Sequence, residues 1–374
     1  MTKIGILATA RQANGGTLLY TLSMIEAIRR LPTDRYTCTV FTAGDNHEYD
    51  GLGVPIVRLP GTLAVAFARL FGTRLFEQVD SVLAPVYSMK LLATRRPFAF
   101  TLHDLQEKYL PQNFGAATRL WRELTNRILT RRAARIVCES NFVKSDIVRF
   151  FGVPPDRVAV IPAPPVTMLR DARLDERSLD AVRAKFKLPP RYVFYPAQFW
   201  PHKNHRRLVE AFARVAQAEP DCALVLTGKQ RDEYARVFEQ VRALGLASRV
   251  LHIGYVETSE LAALYRCATV AAIPTLFESI SIPVYEAFAI GTAVCASNVV
   301  ALPEQIGDAG LLFDPLSAED IADKICQLLR SPELRAQLIE RGLRRIASVN
   351  HADYALRLAE LADSLAKAEA TRSR

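Results

Sequence analysis

The sequence holds few cysteines and no closely spaced pair of them. Six cysteines are scattered over 374 residues, without a C-x-x-C pair. A zinc ribbon or a disulfide framework needs regularly spaced cysteines, so this pattern argues against both. Isolated cysteines are typical of a chain kept reduced, and we expect a cytoplasmic location. They are Cys38, Cys138, Cys222, Cys267, Cys295 and Cys326.

Long apolar runs are also lacking. The longest uncharged stretch, Ala287–Pro303, has 17 residues and includes Gly291, Asn298 and Pro303, so it is too short and too polar to span a bilayer. The apolar run Ile4–Ala10 stops at Arg11, which is shorter than the core of a signal peptide. We therefore expect neither a membrane span nor an export signal.

Internal repeats of solenoid period and low-complexity tracts are absent from the sequence. Half of the residues are hydrophobic and 23% are charged, a globular balance that excludes disorder as the bulk state. At 374 residues the chain exceeds what one hydrophobic core usually organises, so we expect two domains.

Positive charge is concentrated in the first part of the chain. Residues 1–165 hold 21 Lys and Arg against 13 Asp and Glu, a balance of +8, whereas the remainder holds 27 against 26. The first part is thus the one that meets an acidic partner, for which nucleic acid, an anionic membrane and a phosphorylated acceptor are the candidates. No nucleic-acid reading motif accompanies the charge, so we expect no nucleic-acid partner.

Short apolar runs alternate with amphipathic segments. Lys3–Ala8 is predicted to form a buried strand, and Thr17–Leu31 repeats apolar residues at helical spacing. After a proline-rich junction at 162–165, the alternation restarts at Tyr192–Ala197. This order predicts an α/β protein with two Rossmann-like doubly wound domains facing each other across a cleft. The predicted parts are a first domain at 1–165, a linker at 166–190, a second domain at 191–348 and a C-terminal helix at 349–374.

Two glutamates flank the start of a predicted helix. Pro283 suits its first turn and Gly291 suits the position just past its end, which places Glu286 in the first turn and Glu278 in the preceding loop. The amides and dipole of a helix N-terminus suit a phosphate, and Glu286 would then accept hydrogen bonds from sugar hydroxyls. Alternatively, Glu286 merely complements the helix dipole.

Several segments resemble, in the same order, those of the family 4 retaining glycosyltransferases, a GT-B group that includes bacterial mannosyl- and glucosyltransferases. Glu278 to Glu286 resembles the E-x7-E motif of that family. Five further segments match its N-terminal glycine loop, its His-Asp element, the end of its first domain, its diphosphate-binding loop and the segment after the motif: Asn14–Gly16, Thr101–Asp104, Ser140–Ile161, Pro196–Asn204 and Ala301–Pro315.

The resemblance implies roles for individual residues. Glu278 would contact the transferred sugar, Glu286 the ribose, and Lys203 the departing diphosphate. His103 would lie beside the donor sugar at the reaction centre. The implied catalytic residues are His103, Glu278 and Lys203. The implied donor site consists of Gly15, Gly16, Gln198, Lys203, Ser279, Ile280, Ser281, Ile282 and Glu286, in which the two glycines let the backbone approach the ligand.

Two positions depart from the family pattern. The family usually has an arginine five residues before the lysine, where this chain has Gln198, and a Gly-Phe-Gly where it has Ser279-Ile280-Ser281. Losing the arginine removes a full charge and a fork of donors near the diphosphate. Serine hydroxyls are able to replace some of the backbone donors. We expect an altered donor site rather than a lost one.

No cofactor or metal is expected. His202 and His205 flank Lys203, but no third ligand is spaced for zinc, so we predict no metal site. Lys203 and helix amides would carry the leaving-group charge without a divalent ion.

An arginine-rich segment dominates the first domain. It reads as an amphipathic helix with Leu120, Leu124 and Ile128 on a stripe between the arginines. Such a helix either packs its leucines on the sheet or binds anionic lipid head groups or the acceptor. The arginines are Arg119, Arg122, Arg127, Arg131, Arg132 and Arg135.

The resemblance implies a metal-independent, retaining hexosyltransferase. GDP-mannose is the favoured donor, with UDP-glucose or a deoxyhexose donor open, and the acceptor is a saccharide or lipid-linked saccharide of surface polysaccharide or lipopolysaccharide synthesis. We expect peripheral contact with the inner face of the cell membrane and a C-terminal helix that returns to the first domain. The alternative is a non-catalytic, nucleotide-sugar-binding partner of another glycosyltransferase.

Overall fold

The computed structural model describes residues 1–11, 16–60, 75–164 and 174–372. The chain forms two compact units, one made of Met1–Val166 with Val349–Arg374 and the other of Thr167–Ser348. Each unit has a parallel sheet flanked by helices, which confirms the predicted α/β class with two doubly wound domains.

The sheet of the first unit is parallel throughout its described strands, in the order β3-β2-β1-β4-β5-β6-β7. Its central strands are apolar runs with fully buried side chains, as strands covered by helices on both faces require. The strands are β1 Thr2–Leu7, β2 Tyr36–Ala43, β3 Ile56–Leu59, β4 Ser81–Ala84, β5 Phe98–Thr101, β6 Arg135–Cys138 and β7 Val158–Val160.

Helices of the first unit include one from the end of the chain. His351–Arg372 packs against Gly16–Arg29, and Asp363 accepts hydrogen bonds from the hydroxyls of Thr2 (2.8 Å) and Tyr36 (2.9 Å). The C-terminal helix therefore returns to the first unit, as predicted. The α-helices among the described residues of this unit are α1 Gly16–Arg29, α2 Gln106–Tyr109, α3 Ala116–Arg132, α4 Asn141–Phe151 and, numbered last in the chain, α13 His351–Arg372.

The described strands of the second unit form a parallel sheet in the order β10-β9-β8-β11-β12-β13. The chain reverses its direction of travel across the sheet between β8 and β11, which are neighbours, and ligands bind beyond the carboxyl ends of strands at such a switch point. The strands are β8 Tyr192–Pro196, β9 Ala223–Thr227, β10 Val250–His252, β11 Val270–Ile273, β12 Val294–Ser297 and β13 Leu311–Phe313.

The helices of the second unit cover both faces of its sheet. The segment predicted as a linker, 166–190, contains a helix, Glu176–Phe186, that packs on Thr258–Cys267 of the same unit. The helices are α5 Glu176–Phe186, α6 His205–Ala218, α7 Tyr234–Ala243, α8 Thr258–Cys267, α9 Ile282–Ile290, α10 Leu302–Ile306, α11 Ala318–Arg330 and α12 Pro332–Ala347.

Candidate active site

A cavity of about 240 Å³ opens at the carboxyl edge of the second sheet. It lies where β8 and β9 end and where α9 begins, as the switch-point rule requires. Three residues of the predicted donor site line it together: Gln198, Ile282 and Glu286. The other lining residues are Pro196, Ala197, Thr227, Gly228, Tyr255, Val256, Thr258, Leu261 and Pro283.

Helix α9 carries Glu286 to the wall of this cavity. Pro283 occupies its first turn, and Gly291 ends it in the left-handed conformation with a φ of 78°. Both agree with the sequence prediction. The expectation that Glu286 lies in the first turn was wrong: the helix begins at Ile282, so Glu286 lies one residue past that turn. Its distance from the terminus weakens the helix-dipole explanation for this glutamate.

Glu286 is held by a buried tyrosine. The hydroxyl of Tyr265 donates to Glu286 Oε2 at 2.8 Å, and Tyr265 itself is fully buried. Burial raises the pKa of Glu286 to about 7, and the hydrogen bond from Tyr265 offsets part of that effect. Only the ionised carboxylate has both oxygens available to accept hydrogen bonds from the two hydroxyls of a diol.

Glu286 is therefore expected to make donor use pH-dependent. Below a pH of about 7 the carboxyl takes up a proton and loses acceptor capacity, so kcat/KM for the donor should fall as the pH decreases through that value. Glu286→Gln should lower kcat/KM and flatten its acidic limb. The pH profile of kcat/KM checks this, and an unchanged acidic limb in Glu286→Gln would assign the titration to another group.

The loop that carries Lys203 is fixed to three strands. Its neighbour Asn204 adopts the left-handed conformation with a φ of 59°, and its side-chain amide donates to the carbonyls of Pro274 and Pro315, both at 2.9 Å. The carbonyl of Lys203 accepts a hydrogen bond from the buried Tyr195 hydroxyl at 3.0 Å. These contacts hold the backbone of Lys203 at the carboxyl ends of β8, β11 and β13.

Lys203 and Glu278 form an ion pair. Lys203 Nζ lies 2.5 Å from Glu278 Oε2, and each side chain is 18% exposed. The structure thus brings together two residues that lie 75 positions apart and that the sequence analysis selected separately. A half-buried lysine keeps much of its electrostatic strength because little water screens it, so this pair places a cation and a carboxylate where charge can be stabilised.

The turn between Glu278 and α9 is held by Gln305. The side-chain amide of Gln305 accepts from the Ser281 N–H and donates to the Ser281 carbonyl, both at 2.8 Å. Ser281 is fully buried, whereas Ser279 and Ile280 are half-buried. Of the two serines that replace the family glycines, Ser279 is therefore the more accessible.

Gln198 has an arginine as its partner. Arg231, from the loop after β9, donates its Nε–H to Gln198 Oε1 at 3.0 Å. Its guanidinium carbon lies 5.0 Å from the centre of the Trp200 ring. At the position where the family carries an arginine, this chain therefore has a glutamine that binds an arginine from another loop.

His103 lies in the first unit, directly after β5. Its Nδ1 is 2.9 Å from Glu139 Oε2 and its Nε2 is 2.9 Å from the Pro85 carbonyl. Burial lowers the pKa of His103, but the hydrogen bond and charge of Glu139, with smaller contributions from Asp104 and Pro85, raise it by more. Both ring nitrogens face acceptors, which favours the doubly protonated imidazolium.

The two predicted glycines differ in what the structure shows. Gly15 lies outside the described residues, whereas Gly16 is exposed and begins α1. A Cβ added at Gly16 would meet no other atom of the protein within 4 Å, so packing within the protein does not require a glycine there.

The predicted arginine surface is partly wrong. The side chain of Arg122 is only 18% exposed and pairs with Asp104 and Glu107, so it anchors α3 instead of facing outward. Arg135 begins strand β6 and does not lie on the helix. Of the alternatives for this helix, packing of the leucines on the sheet is excluded, because the buried residues are mostly polar and the apolar stripe is exposed. The exposed residues of α3 include Arg119, Leu120, Trp121, Leu124, Arg127, Ile128, Arg131 and Arg132.

The described residues contain neither a metal-binding cluster nor a membrane-spanning helix. Among the described ranges, no cluster of three or more His, Cys, Asp or Glu has the geometry of a metal site. No described helix combines the length and the apolar character that a bilayer span requires.

The sequence did not indicate the residues that hold the candidate site residues in position. Tyr265, Gln305 and Glu139 hold Glu286, Ser281 and His103, respectively. Each lies on a different element from its partner and 21 to 36 positions away, so local spacing carries no signal for it. Arg231 was missed for the same reason, although the absence of an arginine at position 198 was a signal to look for one elsewhere.

Two family models match this chain. The model for glycosyl transferases group 1 matches residues 178–345, and the model for Glycosyltransferase Family 4 matches residues 20–164. Between them they cover most of both units.

Curated relatives that match include mannosyltransferases. O-antigen chain mannosyltransferase B of Escherichia coli is 30% identical over 222 residues, which cover 56% of this chain and 55% of the relative. MMP alpha-(1->4)-mannosyltransferase of Mycolicibacterium hassiacum is 30% identical over 251 residues, covering 63% and 57%. The match spans little more than half the length of these relatives.

Solved structures share the fold at low sequence identity. Anabaena Alr3699/HepE in complex with UDP-glucose superposes with a TM-score of 0.78 at 17% identity and covers 97% of this chain and 100% of that one. WaaG, described as a glycosyltransferase involved in lipopolysaccharide biosynthesis, gives a TM-score of 0.69 at 17% identity, covering 96% and 99%. Both support the two-domain GT-B architecture.

Proposed function

Because this chain belongs to glycosyltransferase family 4, we propose that it transfers a hexose from a nucleotide diphosphate sugar to a saccharide acceptor. One observation carries the proposal: Glu286 lines a cavity at the switch point of the second sheet, at the edge where Lys203 and Glu278 form their ion pair. The arrangement offers an acceptor for ribose hydroxyls, the N-terminal amides of α9 for a phosphate and a lysine for the leaving group.

We favour GDP-mannose as the donor. The support comes from the curated relatives, several of which are named as mannosyltransferases. The structural neighbour HepE binds UDP and UDP-glucose, so UDP-glucose is the first competitor. The proposed acceptor is a growing surface polysaccharide or lipopolysaccharide chain, free or lipid-linked.

The proposed reaction retains the anomeric configuration and needs no metal. The bond between the sugar carbon and the diphosphate oxygen breaks, and Lys203 stabilises the charge on the departing diphosphate. The acceptor hydroxyl attacks the sugar carbon from the same face and gives its proton to the departing diphosphate. Glu278, paired with Lys203, contacts the transferred sugar. A cationic side chain and helix amides supply the charge stabilisation that a divalent ion provides in other transferases.

A transfer assay tests this function. The protein is incubated with GDP-mannose or UDP-glucose, with and without EDTA, and NMR follows the anomeric configuration of the transferred or hydrolysed hexose. Release of nucleoside diphosphate with an α-configured product, unaffected by EDTA, is the expected result. Nucleotide binding without turnover would instead support the non-catalytic partner.

We also propose that α3 brings the enzyme to an anionic membrane. Leu120 is 61% exposed, Trp121 56%, Leu124 48% and Ile128 39%, and exposed arginines flank this ridge. An apolar ridge with basic neighbours suits the interface of a bilayer that carries acidic head groups. This contact would place the protein at the inner face of the cell membrane, where a lipid-linked acceptor is found.

Removing the apolar ridge is expected to weaken membrane binding. Trp121→Ser with Leu124→Ser should reduce cosedimentation with phosphatidylglycerol-containing vesicles by about tenfold or more, since each side chain contributes on the order of 1 kcal/mol or more when buried. Leu356→Ser, which removes another exposed leucine, is the matched control. Equal vesicle binding by the wild type and the double variant would contradict a membrane-binding role for α3.

A further inference from the structure

The cavity at the switch point presents a neutral side chain where a diphosphate needs positive charge. Gln198 lines the wall of this cavity. Lys203, at the same edge of the sheet, is already paired with Glu278. The residues predicted from the sequence therefore supply too little positive charge to neutralise the two negative charges of a nucleotide diphosphate. Another cationic side chain is needed near this cavity.

Arg231 is positioned beside Gln198 by two contacts. Its Nε–H donates to Gln198 Oε1 at 3.0 Å, and its guanidinium stacks over Trp200 at 5.0 Å. Within the described part of the chain, Arg231 forms no salt bridge with a carboxylate. Because Nε is the inner nitrogen of the guanidinium, this hydrogen bond leaves the terminal fork of N–H donors for a ligand.

The backbone explains why Arg231 reaches this position. The loops after β8 and β9 are joined by hydrogen bonds from Phe199 N to the Lys229 carbonyl (3.3 Å) and from Glu233 N to the Phe199 carbonyl (3.1 Å). Gly228, with a φ of 126°, brings the loops close enough that an added Cβ would lie 2.5 Å from the Ala197 oxygen. Arg231 thus lies between two anchored points, on a loop tied to the cavity wall.

We propose that Arg231 binds the β-phosphate of the nucleotide diphosphate, the one that a monophosphate lacks. It would thus replace the arginine that is missing at position 198. Gln198 orients the guanidinium through its Oε1, and the Trp200 ring packs against the guanidinium. This inference rests on the proposed function, because it assumes that a nucleotide diphosphate sugar occupies the cavity lined by Glu286. The neighbouring Lys229 is held elsewhere, over the Tyr255 ring at 5.3 Å.

Calorimetric titration of GDP and GMP, or of UDP and UMP, into the wild type and Arg231→Gln tests the proposal. Loss of a charged hydrogen-bond donor is expected to weaken diphosphate binding by about tenfold or more, with less than a twofold change for the monophosphate. Arg236→Gln is the matched control, because Arg236 is an exposed arginine on α7 whose partner is Glu233. It removes the same charge without touching Gln198.

A second variant separates phosphate binding from simple support of the loop. Gln198→Arg in the Arg231→Gln background restores a guanidinium at the family position and should recover most of the affinity for the diphosphate. A structural role for Arg231 would not predict this rescue, since the Gln198–Arg231 hydrogen bond stays broken.

The outcomes distinguish this inference from the proposed function. A selective loss for the diphosphate, rescued by Gln198→Arg, supports Arg231 as the phosphate ligand. Equal effects of Arg231→Gln on mono- and diphosphate, or no effect on either, overturn the inference and leave the proposed function standing. If the wild type binds no nucleotide at all, both fall together.

Discussion

Replacing Lys203 by alanine is expected to lower kcat for hexose transfer by roughly 100- to 1000-fold, the usual effect of losing one preorganised group that stabilises developing charge. Lys203 Nζ is held 2.5 Å from Glu278 and is largely shielded from water. Charge on the diphosphate oxygen grows as its bond to the sugar breaks, so the interaction is stronger in the transition state than in the bound donor.

Two further measurements on Lys203 variants and one control variant test this role. Lys203→Ala should leave the affinity for nucleoside monophosphate within about threefold of the wild type, because the lysine is assigned to the diphosphate. Lys203→Arg keeps the charge and should retain more activity than alanine does. Lys324→Ala, which removes a lysine near Asp320 on the surface of α11, should have no effect. A kcat for Lys203→Ala within fivefold of the wild type would contradict the leaving-group role.

Replacing Gly228 by alanine is expected to lower the free energy of unfolding by roughly 2–4 kcal/mol and to abolish nucleotide binding, since strained backbone and overpacking each cost on the order of 1–3 kcal/mol. The glycine has a φ of 126°, which side-chain-bearing residues rarely adopt, and the new Cβ would lie 2.5 Å from the Ala197 oxygen. Relief of that contact requires the loops after β8 and β9 to separate at the wall of the cavity.

Gly245→Ala separates backbone strain from steric overlap. Gly245 also has a positive φ, 69°, but an added Cβ there meets nothing within 4 Å. Its replacement should cost only about 1 kcal/mol and leave nucleotide binding intact. Chemical denaturation and calorimetry of both variants check the prediction. Similar losses of stability and binding in the two would show that the close approach at Ala197 is unimportant.

The sequence predicted the fold well because parallel strands buried on both faces leave an uninterrupted apolar signal. The strands predicted from Lys3–Ala8 and Tyr192–Ala197 are observed within one residue of those bounds, at Thr2–Leu7 and Tyr192–Pro196. Strand β3, Ile56–Leu59, was missed because it lies at the edge of its sheet and includes Arg58, which breaks the apolar run. The outward turn of Leu120 and Leu124 was missed for a different reason: helical periodicity shows that a face is apolar but not which way it points.

The candidate site was predictable where its residues lie on one continuous segment. Glu278, the turn and Glu286 could be read from spacing and helix signals, and the resemblance supplied Lys203. The pairing of Lys203 with Glu278 depends on tertiary structure, since the two lie 75 residues apart. The same holds for Tyr265 and Arg231, which bind the cavity-lining residues Glu286 and Gln198 from other elements.

The central claim is that the cavity bearing Glu286 binds a nucleotide diphosphate sugar. Thermal unfolding of the wild type and of Glu286→Ala, each with GDP, UDP, ADP and their sugar conjugates, tests it most directly. A ligand at 100 times its dissociation constant stabilises the folded state by about 2.7 kcal/mol, which gives a readable shift in Tm. We predict a selective shift with GDP and GDP-mannose in the wild type that is sharply reduced in Glu286→Ala. A wild type that responds to none of these nucleotides, or a shift of equal size in the variant, would contradict the claim.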